Sequence, residues 1–323
     1  MKRIGILTSG GDAPGMNAAI RSAVRCAIHK GLEVKGIMRG YEGLIHNETI
    51  DMNARSVSNV LSRGGTILKT ARSEEFMARS GRERACETVR KNNLDGLVII
   101  GGNGSFRGAH ELWKEFKVRS IGVPGTIDND VFGSDYTIGA YTAVNTALDA
   151  IDKIRDTVTS MERIYVIEVM GREEPFIAIR VGLAGGAEDI LFPYTEYNID
   201  DMCDDIIAGR KKGKISWIII VSEGVAKASD VAEIIKEKTR FSVRAVVLGH
   251  IQRGGSPEAF DRILASRLGC DAVEALLNGY QDAMVGIVRD ESKITPYKKA
   301  TMRDKRKVLL DEKLYKLTRM LAT

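Results

Sequence analysis

The chain repeats one pattern six times: a short apolar run ends in glycine and polar residues, and a helix-like segment follows. The runs are RIGIL, GLVII, SIGV, YVIEV, WIIIV and RAVVL. Near-continuous Val, Ile and Leu runs are typical of strands buried on both faces, as in parallel sheets. Helical periodicity between the runs, as over Tyr141–Arg155 and Phe260–Leu277, predicts βαβ units. The fold class is therefore α/β with mainly parallel sheets.

The length and composition exclude several classes of protein. A chain of 323 residues favours about two domains, and 44% hydrophobic residues can build a core without disulfides. No apolar run approaches the roughly 20 residues that cross a bilayer, so no membrane association is expected. The first apolar stretch, Ile4 to Leu7, is too short for a secretion signal. We expect a cytoplasmic protein.

The cysteines and the net charge restrict the partners further. Cys26, Cys86, Cys203 and Cys270 lie far apart and form no CxxC pair, so neither a disulfide framework nor a zinc site is expected. The net charge of +5 is mild and suits small anionic ligands. No long basic block with interleaved aromatic residues occurs, so nucleic acid is not expected as a partner.

Two glycine-rich loops follow predicted strands, at the end where open α/β sheets bind ligands. Gly10–Gly15 precedes a helix that starts near Asn17, and Gly101–Ser105 follows the run that ends at Ile100. Glycines let the backbone approach a phosphate, and a helix N-terminus adds amide donors. Neither loop matches GxxxxGK[ST] or GxGxxG. Each alone is equally consistent with a tight turn, but together they indicate a phosphate-bearing ligand.

The segment PGTIDND, residues 124–130, concentrates charge directly after the run SIGV. Thr126, Asp128 and Asp130 there can serve phosphoryl transfer, in which one carboxylate accepts a proton and another holds Mg²⁺. The alternative is that these side chains only cap a helix or form a turn. Two aspartates and an asparagine beside a threonine, together with two glycine loops, favour catalysis.

Basic residues near the strand ends are candidates for binding an anionic substrate, because the arginine fork meets phosphate with two hydrogen bonds. These candidates are Arg163, Arg172, Arg244, His250 and Arg253. Each one alone is also explained by a surface ion pair or, for His250, by a structural role. Arg21 and Arg25 lie four residues apart on one helix face, where they either pair with acids or bind phosphate.

From Ile4 to about Gly286, the sequence resembles the bacterial ATP-dependent 6-phosphofructokinases. The shared segments are GGDAPGMNAAIR, RGGT, GGNGS, PGTIDND, IEVMGR and GHIQRGGSP. The resemblance implies a glycolytic kinase that transfers the γ-phosphoryl group of ATP to the 1-hydroxyl of fructose 6-phosphate, giving fructose 1,6-bisphosphate and ADP. It also implies Mg²⁺ as cofactor, ATP as co-substrate and a homotetramer.

The resemblance further implies two Rossmann-like three-layer domains. Residues 1–138 with 252–305 would bind the nucleotide, and residues 139–251 with 306–323 would bind the sugar phosphate. Asp128 is the implied general base, assisted by Thr126, Asp130 and Arg172. The implied nucleotide ligands are Gly11, Tyr41, Arg72, Ser73, Gly102, Gly104 and Ser105. The implied sugar-phosphate ligands are Met170, Gly171, Glu223, His250 and Arg253, with Arg163 and Arg244 supplied by a neighbouring subunit.

An effector site for ADP or phosphoenolpyruvate is also implied by the resemblance. Its residues are Arg21, Arg25, Arg155, Glu188, Lys212 and Lys214. Ala54, Asn59 and Ile215 replace an arginine, an aspartate and a lysine that are usual in the family. These departures predict altered or lost effector binding.

Two departures concern the predicted active site. Asn103 replaces an aspartate that helps to hold Mg²⁺, and Asp130 is the other expected metal ligand. Glu173-Glu174-Pro175 adds negative charge beside Arg172. The alternative function is therefore a weakened regulatory paralogue that binds ligands but turns over poorly. Gly104 and Gly125 favour ATP as the donor, since pyrophosphate-using relatives carry larger residues at both positions.

Overall fold

The structure is a computed structural model that describes residues 1–194 and 196–322. Its strands are β1 (Arg3–Ser9), β2 (Glu33–Ile37), β3 (Thr49–Met52), β4 (Gly96–Gly101), β5 (Ser120–Pro124), β6 (Ile164–Val169), β7 (Asp189–Leu191), β8 (Trp217–Ser222), β9 (Val243–Val247), β10 (Ala283–Val288) and β11 (Glu291–Pro296). Its helices are α1 (Met16–His29), α2 (Gly40–Ile45), α3 (Arg79–Lys91), α4 (Asn103–Phe116), α5 (Ala140–Met161), α6 (Phe176–Ala184), α7 (Ile199–Lys211), α8 (Ala228–Thr239), α9 (Ala259–Leu277), α10 (Tyr297–Ala300) and α11 (Lys305–Leu321). Short 3₁₀ turns cover Glu75–Met77 and Gly249–Arg253.

The chain divides into two compact units. The first unit comprises Met1–Thr142 with Arg253–Asp304, and the second comprises Ala143–Gln252 with Lys305–Thr323. The chain therefore enters each unit twice. Which ligand belongs to which unit stays a prediction from the resemblance.

The first unit contains a seven-stranded sheet in the order β11-β10-β5-β4-β1-β2-β3. The pairs from β10 to β2 are parallel, whereas β3 and β11 pair antiparallel at the two edges. From β1 the sheet grows to β2 on one side and to β4 on the other. The direction of growth therefore reverses between β1 and β4, and α/β sheets typically bind ligands outside the carboxyl ends of the strands at such a point. The loops Gly10–Gly15 and Gly101–Ser105 begin there.

The second unit contains a four-stranded parallel sheet in the order β7-β8-β6-β9. Its core includes Val166 on β6 and Ile219 on β8, both fully buried, and Ile235 of α8. The chain thus reuses the same αβ layering in both units.

The six apolar runs all lie in strands, and the predicted α/β class is confirmed. The expectation that every run is buried on both faces is wrong for RAVVL, because β9 lies at the edge of its sheet beside β6 and exposes Arg244, Ala245 and Val247. The antiparallel edges were not predicted. The hairpin between β10 and β11 turns at Arg289-Asp290, which both have positive φ but lack the usual glycine signal.

Within the described residues, no helix has both the length and the apolar character to cross a bilayer.

Candidate active site

The two glycine loops lie side by side in the first unit because β1 and β4 are neighbours. A Cβ at Gly101 would come within 2.5 Å of the Ser9 carbonyl oxygen, so only glycine permits this close approach. The Ser105 hydroxyl donates to the same carbonyl at 3.0 Å and ties the second loop to the first strand. Gly15, at φ 105°, turns the first loop into α1. The predicted juxtaposition of the two loops is therefore present.

Arg253 lies against the first loop. Its Nη1 atom donates to the Asp12 carbonyl at 3.0 Å, and a Cβ at Gly11 would lie 2.6 Å from the same Nη1. The resemblance assigns Arg253 to the sugar-phosphate ligands, and its position in the first unit puts a cation beside the loop assigned to the nucleotide. Gly11 is required here to make room for that guanidinium.

Asn17 organises a third loop, and sequence reasoning treated it only as a helix start. Its Nδ2 donates to the carbonyls of Arg63 and Gly64, both at 3.0 Å, and its Oδ1 accepts from the Ile67 amide at 2.7 Å. The segment RGGT, residues 63–66, is thereby held next to the first glycine loop. The sequence shows an asparagine directly after a glycine loop, which marks the position but not its partners.

Tyr41 holds the backbone of the second glycine loop. Its ring is buried and stacks on Phe76 at 3.9 Å, and its hydroxyl donates to the Ser105 carbonyl at 2.5 Å. Burial raises the pKa of Tyr41 well above its usual value. Ser73 accepts from the Phe76 amide at 3.3 Å, and Arg72 is exposed. Tyr41 and Ser73 therefore position backbone, whereas Arg72 is available to a ligand.

Gly102 and Gly104 at the start of α4 differ in their surroundings. A Cβ at Gly102 would lie 3.5 Å from Thr126 Cβ, so this loop runs directly beside PGTIDND. A Cβ at Gly104 would meet no heavy atom of the described residues within 4 Å. The surface at Gly104 is open, as a site for a bulky nucleotide requires.

The segment PGTIDND is a structured loop after β5. Thr126, Asp128 and Asp130 are half-buried, while Ile127 and Asn129 between them are buried. The Thr126 hydroxyl accepts from the Asp128 amide at 3.2 Å. The next helix begins only at residue 140, so helix capping does not explain the aspartates. Thr126 instead fixes the backbone that carries Asp128.

Asn103 and Asp130 meet across the two loops. Asn103 Nδ2 donates to Asp130 Oδ2 at 2.7 Å, while Asn103 Oδ1 is buried without a hydrogen-bond partner among the described residues. A buried acceptor left unsatisfied is costly, so a ligand is expected to complete it. Amide and carboxylate oxygens are suitable ligands for Mg²⁺. The two side chains therefore fit the metal that the resemblance implies.

In the second unit, the end of β6 forms a tight turn beside β8. Gly171 and Arg172 both have positive φ, at 142° and 48°. The Arg172 amide donates to Glu223 Oε1 at 3.3 Å, and the Glu223 amide donates to the Val169 carbonyl at 2.9 Å. The structure thus brings Gly171, Arg172 and Glu223 together, as the resemblance implies.

Gln252 holds the neighbouring segment and was not singled out from the sequence. It is fully buried, accepts from the Met170 amide at 3.3 Å and donates to the Gly249 carbonyl at 3.1 Å. It thereby links Met170 to the turn that carries the exposed His250. The glutamine inside GHIQRGG was the available signal.

Arg163 and Arg244 are not grouped with Arg172 within one chain. Arg163 precedes β6 and Arg244 pairs with Tyr165 near the start of that strand, whereas Arg172 follows its end. The interpretation of Arg244 as a residue at a carboxyl strand end is therefore wrong. Within one chain, Arg163 and Arg244 therefore lie at the opposite end of β6 from Arg172.

The implied effector residues fall into both units. In the first unit, Arg25 on α1 donates to the Ala54 carbonyl at 3.4 Å, and Arg21 is half-buried on the same helix. In the second, Lys214 lies 3.3 Å from Glu188 and 4.3 Å from the centre of the Trp217 ring. Arg155 donates to the Gly185 and Gly186 carbonyls, and Lys212 is exposed at the end of α7.

Comparisons with known proteins agree with this arrangement. The family model for phosphofructokinase matches residues 3–276. An ATP-dependent 6-phosphofructokinase of Thermoanaerobacter sp. (strain X514) is 52% identical over 323 residues, which is 100% of both chains. One of Clostridium acetobutylicum is 54% identical over 287 residues, which is 89% of this chain and 90% of that protein.

Solved structures show the same fold. The phosphofructokinase of Saccharomyces cerevisiae superposes with a TM-score of 0.86 at 34% identity and covers 100% of this chain, which spans 48% of the yeast chain. A pyrophosphate-dependent phosphofructokinase of Marinobacter aquaeolei has a TM-score of 0.83 at 24% identity, over 94% of this chain and 84% of its own. The chain therefore belongs to the phosphofructokinase family.

Proposed function

We propose that this protein is an ATP-dependent 6-phosphofructokinase. It transfers the γ-phosphoryl group of ATP to the 1-hydroxyl of fructose 6-phosphate, giving fructose 1,6-bisphosphate and ADP. The observation that carries this proposal is the loop after β5, where Thr126 fixes Asp128 beside the amino end of α4. Full-length identity of 52% to a bacterial enzyme named for this reaction supports it.

Asp128 acts as the general base. Its carboxylate removes the proton of the sugar 1-hydroxyl, the hydroxyl oxygen bonds to the γ-phosphorus, and the bond from that phosphorus to the β,γ-bridging oxygen breaks to release ADP. The glycine loops and the amino end of α4 supply backbone amides that face developing phosphate charge. Thr126 binds the transferring group and holds the backbone of the base.

Asn103 and Asp130 would hold Mg²⁺. The ion, when bound, neutralises negative charge on the nucleotide phosphates. Asn103 contributes the buried Oδ1 that lacks a hydrogen-bond partner among the described residues. Asn103 brings no charge to the metal, so we propose that this site binds Mg²⁺ more weakly than a pair of carboxylates does.

Residues of the second unit bind the sugar phosphate. Arg172 stabilises the transferring phosphoryl group, and its backbone is fixed by Glu223. By resemblance to the family, Met170, Gly171, Glu223, His250 and Arg253 bind the sugar phosphate. Arg163 and Arg244 reach the 6-phosphate of a neighbouring subunit, since they lie at the far end of β6.

ATP is the proposed donor because both discriminating positions are glycine. A side chain at Gly104 would project into open space, where it would occupy the volume needed by a nucleotide. A Cβ at Gly125 would come within 3.2 Å of Met16 and Ile100, so a large residue there would disturb the first loop.

We extend the proposal to assembly and regulation. The enzyme works in glycolysis in the cytoplasm. It forms a homotetramer like the bacterial family, in which Arg163 and Arg244 serve the site of a neighbouring subunit. Arg21, Arg25, Arg155, Glu188, Lys212 and Lys214 bind ADP or phosphoenolpyruvate as effector. Ala54, Asn59 and Ile215 weaken that binding relative to the family, since the arginine, the aspartate and the lysine that are usual at these positions are absent.

A coupled assay tests the proposed reaction. Purified protein is incubated with fructose 6-phosphate, Mg²⁺ and either ATP or pyrophosphate, and ADP or fructose 1,6-bisphosphate is followed by linked enzymes. Turnover with ATP alone supports the proposal, and the Asp128→Asn variant serves as the matched inactive control. Turnover with pyrophosphate alone would overturn the donor. Absence of turnover with either donor, in protein shown by calorimetry to bind ATP, would overturn the activity.

A further inference from the structure

Two cysteines that lie 244 residues apart meet between α1 and α9 in the first unit. The sulfurs of Cys26 and Cys270 are 2.7 Å apart, and Cys26 Sγ lies 3.8 Å from the Cys270 carbonyl. A covalent S–S bond measures about 2.05 Å, so a shift of roughly 0.7 Å separates this contact from a disulfide. The structure thus brings two free thiols into contact, which their spacing in the sequence did not indicate.

The register of the two helices secures this contact. Ser22 Oγ donates to the Ser266 carbonyl, and Lys30 Nζ pairs with Glu274 at 2.9 Å. These contacts lie one helical turn before and one turn after the cysteines on both helices, so α1 and α9 run parallel with a constant offset. Moving the two sulfurs apart along the helix axes would therefore require α1 to slide against α9.

Gly269 allows the helices to approach closely at the same level. A Cβ at this position would lie 2.6 Å from the Ala19 carbonyl and 2.9 Å from Ser22 Cβ. The neighbouring Cys270 is thereby held near the backbone of α1. Small residues at a helix contact shorten the distance between the axes, which places two short cysteine side chains within bonding reach.

We propose that Cys26 and Cys270 are a redox modification site, at which a low-molecular-weight disulfide converts the two thiols into an intramolecular disulfide. The Sγ–Sγ bond forms and the S–S bond of the oxidant breaks. Each protein thiol gives up one hydrogen, and the two hydrogens leave on two molecules of the reduced small thiol. The cysteines are oxidised and the small disulfide is reduced, so atoms and electrons balance.

The exposure of the two sulfurs sets the order of the steps. Cys270 is half-buried, whereas Cys26 is only 9% exposed, so the oxidant reaches Cys270 first. Burial, and then the hydrogen bond with Cys270, raise the pKa of Cys26 to about 12, with Glu274 adding to the rise and Lys30 opposing it. Cys26 therefore acts as the resolving thiol, and its closeness to Cys270 compensates for its low ionisation.

A metal site is the competing use of the same group, because the ligand atoms of Cys26, Cys270 and Glu274 lie within 4.8 Å of one another. Two observations favour oxidation. The Glu274 carboxylate is already paired with Lys30. Zinc–sulfur bonds of about 2.3 Å in a tetrahedral site hold two sulfurs about 3.8 Å apart, well beyond the 2.7 Å seen here.

The experiment uses the full-length protein and oxidised glutathione. After oxidation, free thiols are alkylated under unfolding conditions, and peptides are mapped by mass spectrometry without reductant. We expect two of the four cysteines to escape alkylation, a mass loss of two hydrogens, and a peptide that joins Cys26 to Cys270. Dithiothreitol should reverse all three.

Matched variants separate the proposal from general thiol oxidation. A Cys86→Ser, Cys203→Ser double variant should form the same link, because both residues are buried on other helices. A Cys26→Ser variant should stop at a mixed disulfide on Cys270. Glutathione that remains on Cys270 of the wild type, a link between two chains, or alkylation of all cysteines would each overturn the proposal. Zinc retained by the reduced protein, with both thiols protected, would replace it with a metal site.

Discussion

Asn103 donates from its side-chain amide to the Asp130 carboxylate at 2.7 Å, and this contact helps to join the second glycine loop to the loop that carries Asp128. The amide satisfies one carboxylate oxygen without a cation. The other side of the same amide, Oδ1, remains buried and without a hydrogen-bond partner among the described residues. The pair therefore offers oxygen atoms that suit the proposed Mg²⁺ and also holds the two loops together.

Asn103→Asp should remove that internal hydrogen bond and increase the affinity of the site for Mg²⁺. The variant places two carboxylates in contact, so its metal-free form should lose roughly 1–3 kcal/mol of stability. Mg²⁺ should restore that stability and should raise activity when the metal is limiting. Thermal unfolding and initial rates across a Mg²⁺ titration measure both effects. An unchanged metal requirement with no gain in rate would show that position 103 is not a metal ligand.

Asp128→Ala should leave the protein folded and remove the base. We expect turnover to fall by a factor on the order of 10³ or more, because no other group takes the proton of the attacking hydroxyl. The circular dichroism spectrum and the affinity for ATP should stay unchanged. Asp149→Ala, at an exposed ion pair on α5, is the matched control for loss of a carboxylate. A variant within a few-fold of the parent would exclude Asp128 as the base.

Gly104→Asp should impair ATP use without harming the fold. The new side chain points into open space, and an acid in the first turn of α4 favours the helix. The Michaelis constant for ATP should rise by at least about tenfold, because like charges at a binding surface repel by several kcal/mol. Gly104→Ser is the neutral control and should have a smaller effect. Equal kinetics for the two variants would argue against a nucleotide phosphate near this position.

Asp261 should matter for stability in a pH-dependent way. Its carboxylate accepts from the Gly139 amide and from the amide and hydroxyl of Thr142, so Asp261→Ala should cost roughly 2–3 kcal/mol by stranding these donors. Burial raises the pKa of Asp261 above its ordinary 3.8, against the opposing effect of those hydrogen bonds. Denaturant unfolding of the variant and of the wild type measures the cost.

The sign of the pH effect follows from the raised pKa. The folded protein holds this proton more tightly than the unfolded chain, so the contribution is greatest below pH 3.8 and declines as pH rises through the folded pKa. The advantage of the wild type over Asp261→Asn should therefore shrink with rising pH in that window. An advantage that grows instead would mean that the hydrogen bonds outweigh burial.

The strands that form the centres of both sheets were predictable because local composition determines them. Continuous apolar runs are typical of strands buried inside a parallel sheet covered by helices, and each of the six runs forms a strand. RAVVL has the same composition as the others, yet β9 is an edge strand with Val247 60% exposed. Position within the sheet depends on strand order, which composition does not encode.

Some features of the candidate site were likewise predictable from the sequence, and others were not. Parallel strands end at the same edge of a sheet, so the closeness of the two glycine loops and PGTIDND followed from their positions after strands. The roles of Asn17 and Gln252 did not, since a side chain that binds a distant backbone shows no periodic signal. Arg253 lies on the Gly11 loop because the chain returns to the first unit at residue 253.

The sequence by itself determined the α/β class, the six apolar runs, the glycine loops and the acidic segment, because each of these arises from residues close together in the chain. Only the tertiary structure decided that Asn103 meets Asp130, that Arg163 and Arg244 lie away from Arg172, and that Cys26 meets Cys270. Such contacts join residues as many as 244 positions apart, and they depend on strand order and on the register of packed helices. Strand order and helix register are set by the packing of the whole unit.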